Sequence, residues 1–237
     1  MLNYKDLSFW EKRAYMEHID VAIIGAGIVG MTCALALKRA NSSLRVVVIE
    51  RGYLPTGASS KNAGFACFGS LTEILSDLDS HSTLEVYELI KKRVSGLRRL
   101  RNLLGDKQIK YKQLGGNEIF LENDSEKLDR SLAKMNEIND LIEPLFNDKV
   151  FKLNRNTFNF KSTLDEIIFN KFEGQLDTGE MMDALLNKAY KSNIRIINNV
   201  SVESYEDIGP SVKVNTNQFT ISCNKLFIAT NGFSESI

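Results

Sequence analysis

The stretch "IDVAIIGAGIVGMTCALALKRAN", residues 19–41, constrains the fold of this chain more than any other segment. An apolar run meets Gly25-Ala26-Gly27-Ile28-Val29-Gly30, and a segment of small and apolar residues follows, with Lys38 and Arg39 near its end. A continuous apolar run ending in glycine reads as a strand buried on both faces of a parallel sheet. The following segment reads as a helix with small residues toward that sheet and its cations at the C-terminal end. "LRVVVIE" reads as a second buried strand, so the three elements form one βαβ unit with a right-handed crossover. In such a unit Gly25 permits the tight turn, Gly27 lets a pyrophosphate approach the backbone, and Gly30 lets helix and strand pack closely. The helix N-terminus adds free N–H groups and partial positive charge. Glu50 ends the second strand about twenty residues after Gly30, where a carboxylate accepts from ribose hydroxyls and repels a 2′-phosphate. The register of strand, glycines, helix and acid predicts a dinucleotide site that disfavours NADP.

Bulk composition narrows the classes. The 237 residues are 43% hydrophobic and 25% charged, enough apolar material for a sizeable core. Thirty basic and thirty acidic residues cancel, and the densest basic stretch, "KKRVSGLRRLR", has the spacing of a solvated helix face, which argues against a nucleic-acid partner. Cys33, Cys67 and Cys223 form no C-x-x-C pair and only His18 and His81 supply imidazole, so no metal site is expected. Cys33 and Cys223 read as buried small hydrophobes, Cys67 as a packing residue, and His81 as a surface residue at a helix start. Unpaired thiols and a polar N-terminus place the expected compartment in the cytoplasm. Residues 21–37 carry no charge and approach the roughly 18 residues of a membrane helix, but three early glycines divide them into strand, turn and helix.

The texture changes twice along the chain. Residues 71–104 read as helix, "IKYKQLGGNEIFLE" as strands about a Gly-Gly turn, and "SEKLDRSLAKMNEINDLIEPLF" as a helix ending at Pro144, with Asp124 or Ser125 as its cap. "DTGEMMDALLNKAYKSN" is a helix capped by Asp177 or Thr178, and short strands follow, ending in "KLFIATNG". The expected fold class is α/β: a Rossmann-like domain with a parallel sheet, built from residues 1–78 and 172–237. Residues 79–171 are an inserted α+β domain that carries substrate contacts and no phosphate contacts.

Immediately after Glu50 the chain runs "RGYLPTGASSKNAGFACFGS" rather than into another helix and strand. Here the sequence resembles the D-amino acid oxidase-like family of FAD-dependent oxidoreductases, in its glycine oxidase and gamma-glutamylputrescine oxidase-like branch. "LSFWE" is similar to the aromatic lead-in of that branch, "GQLDTGEMMDALLNKAYKSNIRI" to the family's return to its FAD domain, and "LFIATNGFS" to its Ala-Thr-Asn-Gly strand end. The resemblance implies FAD as cofactor, held by the glycine turn, Glu50 and Arg51. It further implies a loop of Ser59, Ser60, Lys61, Asn62, Ala63 and Gly64 running under the pyrophosphate to the isoalloxazine ring. Val202 matches the position whose backbone holds adenine, and Ala229, Thr230, Asn231 and Gly232 lie near the pyrophosphate.

The implied reaction is oxidation of a C–N bond of an amine or amino acid: hydride passes to flavin N5, leaving an imine. Dioxygen or a respiratory carrier then takes the electrons, and in such chemistry the protein positions and tunes the cofactor. No catalytic residue is assigned. Family members are longer, so the resemblance implies an absent C-terminal part carrying the carboxylate-binding groups and one wall of the flavin site. On that expectation the chain binds FAD weakly and self-associates through exposed apolar surface. Two other classes stay open: a remnant or subunit acting with a missing half, and an NAD-linked dehydrogenase.

Overall fold

The structure is a computed structural model that describes residues 7–236; residues 1–6 and 237, which the expected first and last segments include, lie outside it. Its contacts fall into two units, one formed by residues up to Ala63 and from Thr178 onward, the other by Gly64–Asp177.

The first unit begins with α1 (Phe9–Tyr15), β1 (Ile19–Ile24), α2 (Ile28–Ala40) and β2 (Val46–Ile49). All four residues of β2 are buried, as a strand covered on both faces requires. On α2 the buried residues Gly30, Met31, Ala34 and Leu35 recur at helical spacing and form one stripe. Cys33 lies beside that stripe and is half-buried, not the core residue its sequence position suggests.

The second unit comprises β3 (Phe65–Ala66), α3 (Leu71–Leu78), α4 (Thr83–Leu104), β4 (Gly116–Leu121), α5 (Ser125–Phe146), β5 (Phe151–Arg155), β6 (Thr163–Asn170) and β7 (Gly174–Gln175). Strands β4, β6 and β5 make an antiparallel sheet, and β3 pairs with β7. The core joins Leu71, Ile74, Val86 and Ile90 of α3 and α4 to Ile138 and Ile142 of α5 and to Phe120, Phe151 and Ile168 of the sheet. Buried Asn139 ties α5 to β5: its Oδ1 accepts from the N–H groups of Val150 and Phe151, and its Nδ2 donates to Phe151 O.

The chain then returns to the first unit with α6 (Thr178–Lys191), β8 (Arg195–Ile197), β9 (Val202–Asp207), β10 (Val212–Thr216) and β11 (Thr220–Ile228). The six-stranded sheet has the order β8-β2-β1-β11-β10-β9; its first four strands are parallel and the last three form an antiparallel meander. The α/β class read from sequence holds, with this antiparallel edge added.

Local chemistry explains where elements differ from the sequence reading. The helix read over 71–104 is two helices, because Ser82 starts a new one: its Oγ accepts from Glu85 N–H while Glu85 accepts from Ser82 N–H. Ser70 and Glu73 cap α3 in the same way. Helix α5 runs past Pro144 to Phe146 and closes on Asn147 in the left-handed conformation. Its apolar face continues through Leu145 and Phe146, so packing outweighs the single backbone bond that proline forfeits near the end. The Gly-Gly segment is no hairpin. Only its second arm is a strand, and a β-carbon on Gly115 would lie 2.3 Å from the Phe169 ring. The second unit also begins earlier and ends later than the expected 79–171, because β3 pairs with β7 and Leu176 N–H donates to Gly64 O. Among the described residues no helix is long and apolar enough to cross a membrane.

Glu173, just before β7, presses its carboxyl against Gly116, where an added β-carbon would meet Oε2 at 1.8 Å. Burial pushes this carboxyl up to about 7, with Asn170 opposing and the charges of Glu118 and Glu73 adding to the rise. Folded Glu173 therefore holds its proton where the unfolded chain has lost it, so this group's contribution to stability falls as pH rises from 4.5 to about 7. Asp79 and Asp106, held low by hydrogen bonds from Arg130 and Arg101, act in the opposite sense and only in acid, below 3.8. Glu173→Gln is expected to flatten the slope between these limits and to raise stability above neutrality. Urea unfolding across this range checks it; an unaltered slope in the variant refutes it.

Candidate functional site

Three parallel strands end together at the glycine turn. Gly25 N–H donates to Ile49 O at the end of β2, and Ala229 N–H donates to Ile24 O, bringing the end of β11 alongside. Strand β1 lies between β2 and β11, the switch point at which ligands bind outside the carboxyl ends of an open α/β sheet. Gly25 has φ +102°, and its missing β-carbon would stand 2.6 Å from Ala229 O. A β-carbon on Gly30 would stand 1.9 Å from Gly25 O and 3.2 Å from Ile23 Cγ2. These two positions accept glycine alone.

Gly27 is the N-cap of α2 and has no side chain with which to cap it. Ser59 supplies the cap from the following loop, its Oγ accepting from Ile28 N–H at 2.9 Å. A β-carbon on Gly27 would come within 3.0 Å of that Oγ, so a bare Gly27 and a close Ser59 go together. Ala26 is buried inside the turn and Val29 is exposed on the first turn of the helix.

Glu50 closes the site on the β2 side. Its Oε2 accepts from Ala26 N–H and its Oε1 from Gly52 N–H, both at 2.9 Å, which fixes the carboxylate against the turn. Two charge-assisted bonds leave lone pairs on both oxygens for further donors. The backbone of Glu50 is held as well, its N–H donating to Ile197 O and its carbonyl accepting from Val200 N–H. Arg51 turns outward, its guanidinium 4.7 Å above the Phe233 ring.

The loop after Glu50 is a set of backbone turns. Lys61 and Ser60 donate their N–H groups to Gly57 O, Ser60 Oγ donates to Pro55 O, and Asn62 Nδ2 donates to the carbonyls of Ala58 and Ser59. Thr178 Oγ1 donates to Ser60 O and ties the start of α6 to this loop. Lys61 and Ala63 are exposed. Beyond Ala229, Asn231 and Gly232 lie exposed in a 3-10 turn, and Thr230 Oγ1 is buried without a hydrogen-bond partner.

The structure thus brings Gly25–Gly30, Glu50, Ser59 and Ala229–Thr230 together at one sheet edge. Val202 lies in β9, opposite Thr216 and packed on the strand core. Gly64 belongs to the second unit, where its carbonyl is bound by Leu176. The sequence reading missed Gly52, Val200 and Phe233. A glycine two places after the strand-end acid was the available signal for the first; the other two carried none.

The family of FAD dependent oxidoreductases called DAO matches residues 20–237. The chain belongs to this family. No curated protein matches it. Its fold is similar to L-amino acid deaminase from Proteus myxofaciens, at TM-score 0.68 and 17% identity over 93% of this chain and 48% of that one. Glycine oxidase from Geobacillus kaustophilus gives 0.68 and 18% over 92% and 56%, and L-proline dehydrogenase from P. horikoshii 0.65 and 19% over 94% and 55%. The chain spans about half the length of these structures.

The residues present fit the cofactor of a DAO protein. Glycines at 25, 27 and 30 allow the tight turn at the N-terminus of α2, where backbone N–H groups and the helix dipole favour phosphate oxygens. Glu50 offers acceptors for sugar hydroxyls, and the orphaned Thr230 hydroxyl lacks the partner that buried hydroxyls almost always have.

Gly30→Ala forces a methyl group into a backbone carbonyl and is expected to cost about 3 kcal/mol, the upper part of the usual overpacking range. Gly57→Ala meets nothing within 4 Å. Reducing the freedom of the unfolded chain there should stabilise by ~0.4–1 kcal/mol. Urea unfolding of the pair checks both; equal effects would remove the close-packing argument.

Proposed function

We propose that this chain binds FAD through its first unit and forms the nucleotide-binding part of an oxidoreductase acting on a C–N bond of an amine or amino acid. The observation that carries the reading is the glycine cradle at the head of α2, with the Glu50 carboxylate anchored at its side. The family match and the amino-acid enzymes among the similar structures support it.

In this reading the N–H groups at the start of α2 take the pyrophosphate, with Ser59 Oγ as a neighbouring hydroxyl able to donate as well as accept. Glu50 takes the ribose hydroxyls, while its own bonds to Ala26 and Gly52 keep it from rotating away. Thr230 Oγ1 acquires its missing partner from the cofactor. Lys61 supplies a donor along the 57–63 loop, whose turns Asn62 braces against the cofactor through its bonds to Ala58 and Ser59, and the Val202 backbone holds adenine. Bound FAD supplies the hydride acceptor that converts the amine to an imine, with dioxygen or a respiratory carrier as final acceptor. The second unit is assigned the substrate contacts. No side chain is assigned as acid or base.

Thr230→Val separates this reading from a merely structural hydroxyl. Replacing a buried, unsatisfied hydroxyl by a methyl should stabilise the ligand-free chain by about 1 kcal/mol or more, while weakening FAD binding. Glu50→Gln removes a charge-assisted acceptor and should weaken FAD by ~1.5–3 kcal/mol, or roughly ten- to a hundredfold. Calorimetric titration with FAD and with NAD, beside urea unfolding of each variant, checks both. FAD affinity unchanged in both variants, or NAD bound in preference, would sink the proposal.

A further inference from the structure

A pair of arginines lies at the other end of the same strands. Arg45 immediately precedes β2, and Arg195 is the first residue of β8, in register with Val47. Residues 45 and 47 point to one side of the sheet, as alternate residues of a strand do, and Arg195 shares that side as the neighbour of Val47. Five residues at about 3.3 Å each separate Arg45 from Glu50, so the pair stands ~17 Å along the strand from the nucleotide turn.

The two guanidiniums are incompletely satisfied. Arg45 Nη2 donates to the carbonyls of Arg13 and Ala14 at the end of α1, but its Nε is buried without a partner. Arg195 Nη1 is also buried without a partner, and the ring of Tyr15 lies 5.5 Å from its guanidinium carbon. Burial, reinforced by the neighbouring charge of Arg45, pulls the Arg195 guanidinium below its ordinary value, with Tyr15 opposing. Among the described residues no carboxylate acts on Arg195. Asp20 is taken up by the backbone N–H of Arg45 and by Asn224 Nδ2. Two like charges side by side, each with an N–H aimed at nothing, are costly unless an anion completes them.

We propose that Arg45 and Arg195 form a binding site for a dianionic oxyanion of the phosphate monoester class. Two guanidiniums neutralise a dianion where a single carboxylate leaves one charge over, and guanidinium donors match the paired oxygens of phosphate. Tyr15 closes one side of the site and couples it to α1.

The test follows the arginine Nε–Hε signals of the isotope-labelled chain during titration with inorganic phosphate at constant ionic strength. Saturable shifts of both Arg45 and Arg195 are expected. In Arg195→Leu the affinity read at Arg45 should fall by about tenfold or more. Shifts of the Gly27 and Ile28 amides, which report phosphate at the helix end, should persist in that variant. Arg195→Leu should also raise the melting temperature in phosphate-free buffer, and Arg195→Lys gives a second variant should the leucine disturb folding. Glycerol 3-phosphate and phosphatidate vesicles distinguish a free ester from a lipid headgroup, and saturation by either supports the site. Absence of saturable shifts at both arginines, shifts reproduced by chloride, or undiminished affinity in both variants overturns it.

Discussion

A β-carbon on Gly30 would sit 1.9 Å from the carbonyl oxygen of Gly25, and much of the first unit follows from that missing atom. Because α2 can lie directly on the end of β1, its N-terminus stops at the sheet edge rather than several ångströms beyond it. That edge is also where Ala229 packs over Gly25 and where Glu50 finds the Ala26 N–H. Any larger residue lifts the helix and separates the amides at its N-terminus from the acid that flanks them. Ser59 then completes the helix end that the bare Gly27 leaves open, and the loop that carries it is held by its own backbone turns.

Two glutamates show how surroundings divide the work of one side chain. Glu50 receives an N–H on each oxygen, which fixes its orientation and makes it a held acceptor. Glu173 is buried against Gly116 with other carboxylates near it, and so keeps its proton to about 7. The first arrangement fits an acid that faces sugar hydroxyls. The second is a cost of packing the second unit, paid at neutral pH.

The α/β class, the βαβ opening and the close approach at Gly25 and Gly30 were legible because glycine spacing encodes backbone contact directly. The capping boxes that start α3 and α4, with Ser70 and Ser82 each three places before a glutamate, went unread because helical periodicity on both sides hid the break between the two helices. Pro144 misled because its cost is local while the apolar face of α5 runs on beyond it. Contacts between distant residues left no trace. Nothing near Ser59 announces that it caps α2, and nothing links Arg45 to Arg195, because both pairs depend on how the strands align. The resemblance pointed to Thr230, but only the structure shows that its buried hydroxyl lacks a partner.

The central strand β1 has one neighbour close by in the chain and one far away. It pairs with β2 directly after α2, but its other edge meets β11, where Asp20 and Asn224 touch across 204 residues. At ribosomal speeds of about 5–20 residues per second, that edge waits roughly ten to forty seconds for its partner. Strands β4, β5 and β6 of the second unit meanwhile pair among themselves and need no later residue. The nascent chain therefore completes its insertion first while carrying an apolar strand, Ile19–Ile24, with open backbone donors and acceptors.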